Sequence, residues 1–138
     1  MTYGEQVGSL RRTLHRLLVR HLAGRSKRPL PQLLALLSIS RGDVETQVEL
    51  AERLLIDAPA ASRMVALLEK EKLIKRNVGE DRRCVCLEAL PAAKDEIKII
   101  REGLAWLDDE VRKHLTKKEF EESKALMARL QNGLTSGK

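Results

Sequence analysis

The stretch from Thr46 to Arg83, TQVELAERLLIDAPAASRMVALLEKEKLIKRNVGEDRR, decides the fold of this chain. It opens with a Thr-x-x-Glu pattern at Thr46 and Glu49, which is typical of a helix start where two free amides gain side-chain partners. We therefore predict a short helix over about 47–54, burying Val48, Leu50, Ala51 and Leu54. Asp57 is a good N-cap with Pro59 in the first turn behind it, and this favours a second, longer helix reaching about Lys72.

The periodicity then changes from helical to extended. Residues 73–78 are predicted to form a strand, 79–83 a turn, and 84–88 the returning strand. A short helix, a longer helix and a two-stranded hairpin in this order are typical of a winged helix-turn-helix. Its second helix fits the major groove of a DNA duplex, and the hairpin is the wing.

Helices are also predicted on both sides of this stretch. The first covers about 5–23, a second opens at Pro29 and Pro31, and two more follow the hairpin, the last starting at a capping box of Thr116 and Glu119. Apolar residues recur in them at steps of three and four. We interpret the first helix and the last two as a dimer interface. The alternative is that their apolar stripes only fill the core of the monomer.

The predicted fold class is therefore mainly α with a two-stranded β-wing, a winged helix-turn-helix flanked by N- and C-terminal dimerisation helices. Residues 29–90 are predicted to be the DNA-binding domain. Residues 1–28 and 91–138 are predicted to be the helical dimerisation region.

Composition limits the class of protein further. The 138 residues suffice for one domain, and 43% hydrophobic against 33% charged residues indicates a globular chain. No apolar run approaches the ~20 residues of a membrane helix, and the N-terminus lacks the pattern of a signal peptide, so we expect a cytoplasmic protein without a membrane partner. The net charge of +6 suits a partner that carries phosphates, although alone it is weak evidence.

The predicted second helix presents polar and small side chains on the face opposite Ala61, Val65 and Leu68. Arg63 can grip guanine through two hydrogen bonds, and Ser62 can bond a base or a phosphate. The predicted contacts from this recognition helix are Pro59, Ala60, Ser62, Arg63 and Lys70.

The hairpin supplies a second group of predicted DNA contacts. Arg82 and Arg83 at its tip can enter a minor groove, where narrow A·T tracts concentrate negative potential. Asp81 can orient one guanidinium by a charge-assisted bond. Lys75 and Arg76 lie where backbone phosphates would pass, and such contacts position the protein without reading sequence.

At these residues the chain resembles the MarR family of bacterial transcription regulators. ELAERL at 49–54 is similar to the family's first helix-turn-helix segment, Ser62-Arg63 with Leu68-Glu69 to its recognition helix, and Asp81-Arg82-Arg83 to its wing signature. The resemblance implies a homodimeric repressor that binds a pseudo-palindromic operator and is released by a small-molecule effector or by oxidation. One departure is Lys72, which stands where the family usually has Gly.

Cys84 and Cys86 would share one face of the returning strand. Oxidation there could move the wing arginines, and Arg82 and Arg83 could lower a thiol pKa. The alternative is that both cysteines are small strand hydrophobes.

Other functions receive less support from the sequence. The histidines are scattered, with no compact Cys/His set for a metal. There is no nucleophile–base signature and no phosphate-binding Gly loop, so we predict neither an enzyme nor a cofactor. The second hypothesis is a winged-helix interaction module whose basic face binds an acidic protein or modulates another DNA-binding protein. The steep salt dependence of duplex binding would separate the two hypotheses.

Overall fold

A computed structural model describes residues 1–78 and 85–136 of the chain, so the predicted turn 79–83 and Cys84 lie outside the described residues. The elements in chain order are α1 (Tyr3–Leu22), α2 (Leu30–Arg41), α3 (Gln47–Leu54), α4 (Ala58–Lys70), β1 (Ile74–Val78), β2 (Val85–Ala89), a 3-10 turn (Pro91–Ala93), α5 (Lys94–Arg112) and α6 (Lys117–Thr135). The predicted class, mainly α with a two-stranded wing, is confirmed. The chain divides into two compact units, Met1–Gly103 and Leu104–Lys138.

The helix starts follow the capping residues. Helix α1 begins two residues earlier than predicted because Thr2 and Glu5 form a full capping box: Thr2 Oγ1 accepts from Glu5 N at 3.2 Å, and Glu5 Oε2 accepts from Thr2 N at 2.7 Å. At α3, Thr46 Oγ1 accepts from Glu49 N at 3.2 Å, but the Glu49 carboxylate accepts from the Thr46 hydroxyl. The predicted box therefore makes one of its two backbone bonds there.

Two backbone hydrogen bonds close the end of α4. After α4, Leu73 N donates to Leu68 O at 2.9 Å and Lys72 N to Glu69 O at 3.0 Å, the bond pair of a Schellman motif. Lys72 has the left-handed φ of 63° that this motif requires. Helix α4 therefore ends at Lys70, two residues before the predicted end at Lys72. The position where the MarR family usually has Gly is thus one that favours Gly, and here it is held by Lys.

The core of the first unit surrounds α2, which buries residues on all sides. Its Leu33 and Leu36 are fully buried, as are Leu50 of α3, Leu68 of α4 and Ile100 of α5. A helix that is apolar all round belongs inside its domain. The buried hydrophobic residues of this unit are all aliphatic.

Val48 is a correction to the predicted core. Val48 is 69% exposed, whereas Leu50 is fully buried. The two lie two positions apart on α3, about 200° around the helix, so they cannot face the same side. Only one of them can enter the core, and it is Leu50.

The hairpin is antiparallel, with Ile74 opposite Ala89 and Val78 opposite Val85. One backbone bond fastens it to the segment just before α3, where Leu87 N donates to Glu45 O at 2.7 Å. A second bond, from Leu90 N to Leu73 O at 2.8 Å, extends the pairing of the two strands by one residue pair. The first of these bonds holds the wing beside α3.

The second unit contains the end of α5 and α6. The predicted capping box is confirmed there: Glu119 N donates to Thr116 Oγ1 at 3.1 Å, and Thr116 N donates to Glu119 Oε1 at 2.8 Å. Phe120 is buried at 5% exposure, with the Arg112 guanidinium 4.5 Å and the Lys124 ammonium 5.5 Å from its ring centre. Cation–π attraction thus adds to the turn between the helices.

Candidate nucleic-acid interface

Helix α4 has one face in the core and one face in water. Asp57 caps it by accepting from Ala60 N at 2.8 Å. Ala61, Val65 and Leu68 are fully buried, as predicted. On the other face the structure places the predicted recognition residues as follows: Pro59, Ser62, Arg63 and Lys70 are exposed, and Ala60 is half-buried.

Arg63 and Ser62 are available to a ligand. Within the described ranges 1–78 and 85–136, neither side chain makes a hydrogen bond or an ion pair. An arginine fork in this state keeps all its donors for an outside acceptor. Since α4 presents it on the solvent face, this guanidinium can reach a planar acceptor pair such as the O6 and N7 of guanine.

The predicted phosphate contacts on β1 are exposed but paired. Lys75 Nζ lies 3.5 Å from Glu88 Oε2, and Arg76 Nε lies 3.7 Å from Glu69 Oε1. The pKa of Glu88 is lowered, first by a hydrogen bond from Asn77 and then by the charge of Lys75. Exposed pairs of this kind contribute little to stability, so a phosphate can compete for either cation.

The remaining predicted site residues fall on the wing tip. Asp81, Arg82, Arg83 and Cys84 lie outside the described residues. Cys86 is described: it is half-buried on β2 and lies opposite Asn77 in the register.

The distribution of charge along the chain was missed when the basic residues were judged motif by motif. Residues 6–42 contain eight Lys and Arg and no Asp or Glu, whereas residues 43–90 contain eight Lys and Arg against ten Asp and Glu. The positive charge therefore lies ahead of the helix-turn-helix. Four of these cations are exposed arginines of α1, namely Arg11, Arg12, Arg16 and Arg20. A segment-by-segment charge count would have found them.

Two other kinds of site are absent from the described residues. No helix among the described residues is long and apolar enough to cross a membrane. The same part of the chain contains no group of three or more His, Cys, Asp or Glu side chains arranged to hold a metal.

A short helix, an exposed second helix and a hairpin fastened beside them define a winged helix-turn-helix protein. A model of the MarR family matches residues 26–83. The segment that carries the winged helix-turn-helix is thus similar in sequence to the MarR family, and the chain has the fold of solved MarR structures over nearly its whole length.

Solved structures show how far that fold extends. The transcriptional regulator PA3341 has 26% sequence identity and a TM-score of 0.80, with 97% of this chain and 98% of that chain covered. Wild-type apo MarR from E. coli has 24% identity and a TM-score of 0.76, covering 94% and 97%. The oxidised form of E. coli MarR has 22% identity and a TM-score of 0.78, covering 95% of each chain. No curated protein matches the sequence significantly.

Proposed function

We propose that this protein is a homodimeric transcription repressor that binds a pseudo-palindromic operator in double-stranded DNA and leaves it when a small ligand binds or when it is oxidised. The observation that carries the proposal is the outward face of α4. In a MarR-type winged helix, this helix presents Arg63 and Ser62 to solvent, and neither has a partner among the described residues. One similar structure is of a protein named the multiple antibiotic resistance repressor.

The DNA contacts divide into reading and positioning contacts. Arg63 reads guanine, Ser62 bonds a base or phosphate, and Pro59 and Ala60 allow close approach of the helix to the groove floor. Lys70, Lys75 and Arg76 contact backbone phosphates, which set the position without reading sequence. The proposed wing contacts are those of Arg82 and Arg83 in the minor groove, with Asp81 orienting one of them.

Exposed apolar side chains on the outer helices support a dimer. On α1, Val7 is 50% and Leu10 59% exposed, and on α6, Met127 is 59% and Leu134 81% exposed. Each belongs to the apolar stripe of a helix that we interpret from the sequence as part of the dimer interface. Exposure of apolar surface to water is unfavourable by about 25 cal/mol per Å². A second copy covering them would make 1–28 and 91–138 the dimerisation region and leave 29–90 for DNA.

Two features support release from DNA. A surface groove lies among α2, β2 and the first half of α5, with Ile39, Leu87, Leu90 and Ile97 among its lining residues. Its lining also includes charged side chains such as those of Lys94 and Lys98, and small-molecule sites likewise combine apolar side chains with a few polar ones. Cys86 on the wing strand, together with Cys84, is the candidate for oxidation. A variant with both cysteines changed to Ser should lose any response to peroxide.

The experiment that tests the proposal is selection of bound fragments from sheared host DNA at moderate salt, followed by sequencing. An inverted repeat among the recovered fragments is expected, because a symmetric dimer reads two half-sites about one helical turn apart. Recovery of no sequence above background would contradict the proposal.

The second candidate function, a module that binds an acidic protein or modulates another DNA-binding protein, is favoured by one observation. Residues 43–90 have more acidic than basic residues, which is unusual for a segment that docks on phosphates. This candidate would be supported if the protein did not bind duplex DNA, or bound it with an affinity that depends little on salt.

A further inference from the structure

The solvent face of α1 carries a row of arginines that the recognition surface does not use. Arg12, Arg16 and Arg20 follow one another at four-residue steps. All three are exposed, and none makes an ion pair among the described residues. We call these three residues the α1 arginine face.

The α1 arginine face stays open when the apolar stripe of the same helix is covered. Each arginine of the row follows a leucine of the stripe by two positions, as Arg12 follows Leu10 and Arg20 follows Leu18. Two positions correspond to about 200° around a helix, so row and stripe lie on opposite sides. A partner that buries the stripe therefore does not neutralise the arginines.

Charge identifies the kind of partner. No acidic residue occurs between Glu5 and Asp43, so the segment has no counter-charge of its own. The row from Arg12 to Arg20 spans about 12 Å at 1.5 Å per residue, over which one DNA strand presents a phosphate about every 3.4 Å. Arginine rather than lysine at every position favours the two-pronged recognition of phosphate.

The composition of the face favours nucleic acid over protein. The other side chains of this surface are those of Arg11, His15 and Val19. Val19 is the one apolar residue among them, and it is 42% exposed. Protein partners need an apolar, well-packed centre with few charges. Interfaces with DNA are more polar and much more positive.

We propose that the α1 arginine face binds the phosphate backbone of double-stranded DNA as a second contact surface, separate from α4 and independent of base sequence. It supplies the general electrostatic attraction that the acid-rich segment 43–90 does not. The proposal rests on the proposed function only in taking DNA as the polyanion, and it does not require an operator.

The test compares the salt dependence of binding for three full-length proteins on one duplex of random sequence. The variants are Arg12→Gln/Arg16→Gln/Arg20→Gln and a control that removes three exposed cations elsewhere, Arg101→Gln/Lys117→Gln/Arg129→Gln. Fluorescence anisotropy gives the binding constant between 50 and 200 mM salt, the range over which phosphate contacts change affinity strongly. Circular dichroism verifies that each variant retains its helices.

Each phosphate contact contributes about 0.9 to the slope of log K against log salt, so the loss of three contacts reduces the slope by about 2.7 for each α1 arginine face that binds the duplex. Over a fourfold salt range this corresponds to about a 40-fold smaller loss of affinity. We expect that reduction for the α1 variant and a clearly smaller one for the control. Equal slopes for the two variants, or a wild type that does not bind the random duplex, would overturn the proposal. If the slopes are equal but the protein still prefers the operator to the random duplex, the α1 proposal fails and the proposed function stands. The proposed function is tested separately, by whether Arg63→Ala loses that preference.

Discussion

Replacing Gly103 with Ala tests the close contact between α5 and α1 in the first unit. A Cβ at this position of α5 would lie 2.9 Å from Leu22 Cδ2 and 3.2 Å from Leu18 Cδ1. Carbon atoms prefer about 3.5–4.0 Å, so the leucines, each only 4% exposed, would have to move by about 0.6 Å. Overpacking of this kind costs about 1–3 kcal/mol. Alanine recovers about 1 kcal/mol through its higher helix propensity.

The matched control is Gly8→Ala on α1, where the added Cβ would meet only the flexible end of Arg12 at 3.4 Å. This change should stabilise the protein by about 1 kcal/mol, so Gly103→Ala should be less stable than Gly8→Ala by about 1–3 kcal/mol. Urea unfolding at one fixed protomer concentration measures the difference. In a Leu22→Ala background, most of the cost should disappear. Equal stabilisation by the two alanines would refute the close approach of α1 and α5.

Three further changes probe a helix end, a cap and the wing. Lys72→Gly removes left-handed strain of about 1–2 kcal/mol at φ 63° and adds up to about 1 kcal/mol of unfolded-state entropy, so the melting temperature should rise by a few degrees; a fall would contradict the strain. Hydrogen bonds with the amide and hydroxyl of Thr116 lower the pKa of Glu119 below 4.5, so the ionised carboxylate stabilises the fold above pH 4.5 and this contribution is lost as pH falls through the folded pKa. The difference in stability between the wild type and Glu119→Gln should therefore shrink in acid. An NMR titration midpoint of 4.5 or above would refute the lowered pKa. The double variant Arg82→Gln/Arg83→Gln should bind the operator more weakly, because it loses both proposed wing contacts. Unchanged affinity would mean that the wing does not contact DNA.

The order of elements in the winged helix-turn-helix could be predicted because its signals are local. Asp57 with Pro59 marks the start of α4, and the buried side of that helix follows from its period. The early start of α1 was also readable, since Thr2 and Glu5 form the same pattern as Thr116 and Glu119. The 200° between Val48 and Leu50 excludes burial of both, but a helix of eight residues is too short for its period to decide which of the two faces the core.

The candidate site shows the same division. The outward placement of Arg63 follows from the helical period, and the structure confirms it. The ion pairs of Lys75 with Glu88 and of Arg76 with Glu69 depend on strand register and on how α4 meets β1, which no local pattern specifies. The left-handed φ of Lys72 is likewise set by the backbone bonds that close α4.

The proposed reading of DNA by α4 is tested most directly by the sequence selectivity of Arg63→Ala. The measurement is the ratio of affinities for the selected operator and for the same duplex with its contacted guanine changed, at one salt concentration. Arg129→Ala serves as the control, since Arg129 is exposed on α6. A bidentate contact discriminates by about 1–3 kcal/mol, so Arg63→Ala should lower the ratio about 5- to 150-fold and Arg129→Ala should leave it unchanged. An unchanged ratio after the loss of Arg63 would contradict the reading of bases by α4.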